Sequence, residues 1–314
     1  MFLSSPDLSV LGLALETQLL QTFINGLVTG SIYFLAAVGL TFQYQLMKFP
    51  NLSHAEFFAI GAFVTYFFAD VVGLGFWAGL GLSMVITGGI ASGLYLTVFR
   101  MLIRRGASIL HLIIASAGLG IMLRYLMWEI AGRKSYFFTQ SFTPFDVGPV
   151  RLTTLWLSMM LAAAATAAAL ILFLRLTKLG KALRGLASNP VLARLSGIRS
   201  GTVIVLVWML SGMLASLGGT LRAADTRVIP ELGADVLIPM FAVSILGGIG
   251  SVSGAFTASY VLGVAESFGV VALVQLGLST EYKSLIAFAI LVATIIVLPT
   301  GLGATLSKER VRRD

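Results

Sequence analysis

Polar side chains are scarce in this chain, so the few that cluster carry the first clues. The stretch Pro50–Phe63, PNLSHAEFFAIGAF, sets Asn51, Ser53, His54 and Glu56 at the head of an apolar helix. Polar groups that lie truly deep in a membrane are costly and mark function. Ser53 and Glu56 also fit the S-x-x-E capping box, in which each side chain satisfies the other's backbone N–H, and Glu56 suits the positive end of the helix dipole. Capping and substrate contact are both open here, and they are compatible. Should this helix begin in mid-membrane, its first N–H groups would suit a ligand carboxylate.

A second cluster lies in Phe241–Gly263, FAVSILGGIGSVSGAFTASYVLG. Gly247 and Gly248 permit a sharp break in the backbone, and Ser251 and Ser253 place hydroxyls at it. A kink beside a permeation path and a plain turn between helices both fit. Asn51, Ser53, His54, Glu56, Gly247, Gly248, Ser251 and Ser253 are therefore the candidate translocation-path residues.

The third segment is Lys178–Arg199, KLGKALRGLASNPVLARLSGIR, too polar to span a membrane. Asn189 can cap a helix that starts at Pro190, and Gly197 can end it. Val191, Leu192 and Leu195 then share one face, flanked by basic residues. Such a face either seats on a partner protein or rests on anionic lipid. Isolated polar residues are weaker signals. Arg124 and Glu129 are expected to pair or to snorkel, Glu266 to pair with a partner subunit, and His111 to be structural. No G-x-x-x-x-G-K-[ST] stretch occurs, so the chain does not hydrolyse ATP by that device. There is no H-E-x-x-H, no cysteine and only two histidines, so neither a metal site nor any cofactor is expected.

These clusters must be held by elements that lipid, rather than water, accommodates. The 314 residues are 58% hydrophobic and 11% charged, against ~45–50% and ~25% in soluble domains. A spanning helix needs ~20 mostly apolar residues, and nine apolar runs appear: Leu19–Phe42, Leu52–Ala69, Phe76–Phe99, Leu110–Ile130, Thr154–Leu174, Thr202–Leu221, Val236–Ile249, Val252–Leu273 and Leu285–Leu298. Leu52–Ala69 and Val236–Ile249 are irregular and read as broken or re-entrant, which is tolerated only inside protein or beside a wet cavity. The glycine pairs Gly26/Gly30, Gly75/Gly79, Gly89/Gly93 and Gly250/Gly254 stand four apart, the spacing at which helices approach closely in lipid. Gly61-Ala62-Phe63 and Gly254-Ala255-Phe256 hint at an internal repeat. The expected fold is all-α, a polytopic bundle of about eight spans forming a single transmembrane domain over 1–314.

The net charge of +8 sits in short segments between the runs. That distribution points to a membrane surface and its lipid rather than to nucleic acid. Arg100–Arg105, Arg175–Arg199 and the tail with Lys308, Arg310, Arg312 and Arg313 are expected in the cytoplasm. Ala131–Thr153 and Arg222–Asp235 then face outward.

Three motifs now bear a resemblance. Asn51 to Ala62, NLSHAEFFAIGA, resembles the N-[FL]-[AS]-H-G-E-x-x-x-x-G-A stretch of permease subunits of branched-chain amino-acid ABC importers. Gly180-Lys181-Ala182-Leu183-Arg184 with Ala193-x-Leu195-x-Gly197-Ile198 resembles that family's cytoplasmic coupling segment, and Leu246–Ala255 its glycine-rich motif. The likeness runs from Leu19 to Gly303 and is closest to the shorter, first permease of the pair. It implies a second homologous permease, two ATPase subunits that bind the ATP, and an external substrate-binding protein. It also implies a plasma (inner) membrane location and no enzymatic activity in this chain. Lys181, Arg184, Leu186, Asn189, Pro190, Leu192, Arg194, Leu195 and Gly197 become the expected ATPase-coupling residues within 178–199. Ala55 stands where the family usually has Gly, Gly185 where it has Ala, Pro239 near a frequent Lys, and Leu298 where Arg or Lys precedes Pro299. Relatives also carry urea, short amides and other amino acids, so these departures leave the substrate open. The alternative is an ion-coupled secondary transporter of small polar solutes, which would need intramembrane carboxylates, for which Glu56, Glu129 and Glu266 are available.

Overall fold

A computed structural model describes residues 8–132 and 134–297, with side chains from Glu16 onward. The basic tail and the Leu298 position lie outside the described residues. Among the described residues, seven helices are long and apolar enough to cross a membrane. The chain runs through α1 (Leu8–Met47), α2 (His54–Tyr66), α3 (Phe76–Leu94), α4 (Arg100–Arg104) and α5 (Ile109–Ala131). An antiparallel hairpin, β1 (Pro144–Val147) and β2 (Val150–Thr153), follows. Then come α6 (Thr154–Leu176), α7 (Lys178–Ser188), α8 (Pro190–Leu195), α9 (Ser200–Asp225), α10 (Leu232–Leu246), α11 (Val252–Gln275) and α12 (Lys283–Val297). The polytopic bundle agrees with the sequence, apart from the small hairpin.

Helix α1 is the axle of this bundle. It is apolar on every side, which is how a helix reads when protein surrounds it, and Phe34, Leu35, Ala36, Ala37 and Val38 are fully buried. The Gly26/Gly30 expectation holds: Gly26 lies on the backbone of Val264 and Gly30 on Ser259 and Tyr260, while Gly263 answers from α11. The other three pairs fail. Gly75 and Gly250 sit in loops with φ near +83° and +84°, where i, i+4 spacing has no helical meaning, and Gly89 and Gly93 meet nothing within 4 Å. Close approach falls instead at Gly88 and Gly212, between α3 and α9, and at Gly219, which abuts the carbonyl of Phe58.

The two ends of the bundle differ in charge. Arg100, Arg199 and the α7–α8 segment gather at one end, with the close of α1. The positive-inside rule puts this end in the cytoplasm. At the other end Tyr136 bridges to Val228, Phe138 and Phe142 cover Phe76, and Arg151 in β2 exchanges hydrogen bonds with Gln21 of α1.

Candidate functional site

Both irregular runs are short helices whose first turns lie inside the bundle. Helix α1 ends when Lys48 takes φ 59°, a left-handed step that reverses the chain. Phe49 then plugs a stack with Phe99 and Trp208, with ring centroids 5.5 Å and 5.0 Å apart along it. From there residues 50–53 climb back beside α1 without helical structure. Asn51 donates through Nδ2 to Gln43 Oε1 at 2.9 Å, and His54 reaches the carbonyl of Ala36 through Nε2 at 3.2 Å. Helix α2 thus begins about a third of the way up α1.

The capping box does not form. Ser53 makes no side-chain cap bond and instead donates to Asn51 Oδ1 at 2.7 Å. Glu56 accepts from Arg124 Nη2 at 2.5 Å. Ser53 turns to its neighbour Asn51 and Glu56 to the distant Arg124 in a buried site: Asn51, Ser53, His54 and Glu56 are each no more than 1% exposed. A carboxylate there needs a cation more than it needs a backbone N–H. Arg124 is therefore neither paired with Glu129 nor snorkelling. It belongs to a ridge on α5 at four-residue spacing, where Ser116 Oγ accepts from the Leu52 N–H at 3.2 Å and Gly120 faces Ser53. Residues 116, 120 and 124 recur at the period of one helix face, a spacing already present in the sequence. Oε2 of Glu56 and Nδ1 of His54 have no partner among the described residues.

The glycine-rich motif is a turn between α10 and α11 rather than a kink. Gly248 and Gly250 both hold φ +84°, the left-handed region where glycine costs nothing. Ser251 caps α11 by accepting from the Gly254 N–H at 3.0 Å, and Ser253 is exposed. The echo between Gly61 and Gly254 is one of sequence, since Gly61 meets Ser216 on α9 and Gly254 meets Gly247 within its own turn. This turn sits at the basic end. Ile249 shares a cavity of about 350 Å³ with Gln45, Lys48, Arg184 and Ser188.

The coupling segment folds as two short helices. Asn189 Oδ1 accepts from the Val191 and Leu192 N–H groups at 3.1 and 3.0 Å, and Gly197 closes α8 at φ +82°, both as the sequence indicated. Gly180, Leu183 and Leu186 are buried against the bundle. Leu186 is therefore an anchor of the segment and is not placed to touch a partner. Outward stand Val191, Leu192 and Leu195, exposed by 68%, 60% and 80%, with Lys181, Arg184, Asn189, Pro190 and Arg194 also exposed around them. Gly185 has only the tip of Ile198 nearby, at 3.6 Å from where a Cβ would lie, so an alanine fits there as well. Glu266, expected to reach a partner subunit, is buried and accepts from Tyr33 Oη at 2.7 Å. His111 binds Ser108 at the start of α5, at 2.7 Å.

Comparison with known proteins now bears on this geometry. Residues 22–295 match the family described as branched-chain amino acid transport system / permease component. The chain is 30% identical over 305 residues to the high-affinity branched-chain amino acid transport system permease protein LivH of Escherichia coli K12, covering 93% of this chain and 97% of that one. It is 27% identical over 311 residues to BraD, the corresponding permease protein of Pseudomonas aeruginosa, with 93% and 98% covered. It is 28% identical over 297 residues to the probable LivH of Methanocaldococcus jannaschii, with 88% and 90% covered.

Proposed function

The chain belongs to the permease-component family of branched-chain amino acid transport systems, and from that premise we propose that it forms one half of the path of an ATP-driven importer for branched-chain amino acids. It is a multi-pass inner-membrane transport subunit, not an enzyme. Two ATPase subunits bind and hydrolyse the ATP, a second homologous permease completes the path, and an external binding protein docks on the loops 131–153 and 222–235. The observation that carries this reading is the apolar face of Val191, Leu192 and Leu195, held out from the basic end on an anchored hairpin. A face of this kind buries itself against something, and its setting fits a groove on a motor subunit better than bulk lipid. Leu183 and Leu186 pin α7 to the bundle. Ile249 of the α10–α11 turn lies beside Arg184 and Ser188. A push on α8 is thus delivered to α6, α9 and the α10–α11 turn.

High affinity then resides in the binding protein, which accounts for the sparse chemistry of the spans. The ion-coupled alternative needs several carboxylates free to load and release an ion, whereas Glu56 is tied to Arg124. The test is Leu192→Asp with Leu195→Asp in the complete transporter. Both positions are exposed, so folding and insertion should survive, while ATPase association and ATP-driven uptake should be lost. Retention of both would defeat the coupling assignment. Uptake that persists after ATP depletion under an ion gradient would favour the alternative.

A further inference from the structure

A cavity of about 310 Å³ opens among α1, α9, α10, α11 and α12 at the end opposite the coupling hairpin. It lies at the small end of the ~300–1,000 Å³ range of small-ligand sites. Along α1 it descends from Thr22 to Tyr33, roughly 16 Å of helix. Four charged side chains line it: Arg222, Asp235, Glu266 and Lys283. Glu266 is the most buried of them, held by Tyr33. Asp235 and Lys283 close no ion pair among the described residues, and Arg222 makes only a 3.4 Å contact with Asp225 on its own helix. Two anions and two cations therefore share one small space without cancelling at contact.

Opposite charges held apart around a buried carboxylate leave each kind open to a ligand group of the other sign. A ligand that closes both kinds at once carries a cation and an anion a few ångströms apart. A sugar, a urea or a simple amide closes neither. The rest of the lining is aliphatic, with Ile32, Val236, Val270 and Val271. We propose that this cavity binds α-amino acids as zwitterions, the ammonium toward Glu266 and Asp235, the carboxylate toward Lys283 and Arg222, and an aliphatic side chain against Ile32, Val236, Val270 and Val271. The assignment rests on the importer reading and adds to it the point at which this chain takes substrate from the outside.

The chain has no cysteine, so Asn25→Cys, at the cavity lining, gives the permease a single thiol. In the complete transporter reconstituted in liposomes, labelling of that thiol by a membrane-impermeant thiosulfonate is followed without binding protein. Free leucine should slow the labelling, while 4-methylpentanoate and isoamylamine, each with one charge, should not. No protection by leucine, or equal protection by all three, overturns the proposal. A second arm measures ATP-driven leucine uptake with binding protein present. Glu266→Gln should lower uptake about tenfold, the scale of one charge-assisted hydrogen bond, in a complex that still hydrolyses ATP; unchanged uptake overturns the assignment of Glu266. Wild-type transporter that imports no leucine would instead defeat the importer reading, whatever the labelling shows, so the two failures are told apart.

Discussion

Two helices stop short of a full span, α2 and α10, and their first turns touch where Gly233 meets the carbonyl of Ala55. The start of α2 is closed: Asn51, Ser53 and Glu56 each bond a protein partner, and the Glu56 oxygen left over is buried. The start of α10 is open, with Asp235 exposed at a cavity of mixed charge. Both are helix N-termini within the bundle, yet one has been turned into a joint and the other left available. A cluster of polar residues in a membrane sequence is thus not yet a ligand site; what matters is whether the fold has already consumed it.

The contact between the two starts gives the largest expected effect. A Cβ at position 233 would run into the Ala55 carbonyl and lie 3.2 Å from Glu56 Oε2. Backbone cannot yield as a side-chain tip does, so Gly233→Ala should cost about 3 kcal/mol or more. The measurement is the thermal unfolding midpoint in detergent together with the yield of folded protein. A variant that folds and melts like the parent would separate the two helices and dissolve the comparison.

Next comes the closed side. Arg124→Met strands the Glu56 carboxylate, which is only 2% exposed as a side chain. Losing one partner of a buried pair costs about 3 kcal/mol, and adding Glu56→Gln should recover much of that. Ser53→Ala should cost only about 1 kcal/mol, one neutral hydrogen bond. A double-mutant cycle sharpens the point. Glu56 and Arg124 should show strong coupling, and Ser53 and Glu56 almost none. The reverse result would restore the capping box.

Ala55→Gly probes the same joint from the α2 side. Ala55 is buried, and the glycine of the contact is supplied by position 233. Removing the methyl should destabilise by about 1 kcal/mol, through backbone entropy and a small lost contact. A rise in the unfolding midpoint would mean instead that the methyl strains the approach.

What the sequence disclosed follows the range of the forces involved. Apolar runs fix the helices, because length and hydropathy are local quantities, and both short segments were visible as irregular. Asn189, Pro190 and Gly197 set α8 through bonds spanning three residues or fewer, and these were readable. The Ser53–Glu56 box looks equally local but loses Ser53 to Asn51, two residues away, and Glu56 to Arg124, 68 residues away and out of reach of any local rule. Gly26/Gly30 was right because both lie within a helix; Gly75 and Gly250 mark loops, which spacing alone does not distinguish. The charged cavity was hidden most completely. Arg222, Asp235, Glu266 and Lys283 come from four helices; Arg222, Asp235 and Lys283 each read as a stray charge near a span end, and Glu266 as a lone carboxylate within a span.

On the open side the smallest change in stability should accompany a large change in function. Asp235 is exposed and its carboxylate closes no ion pair among the described residues, so Asp235→Asn should move the unfolding free energy by no more than about 0.5 kcal/mol. The same substitution removes one of the two anions of the cavity and should depress leucine uptake by the reconstituted transporter. Arg124→Met must show the opposite pattern if the comparison holds, since its cost falls on the fold before it reaches transport. A strongly destabilised Asp235→Asn would mean that Asp235 is also part of the joint, and that the start of α10 is no more available to substrate than the start of α2.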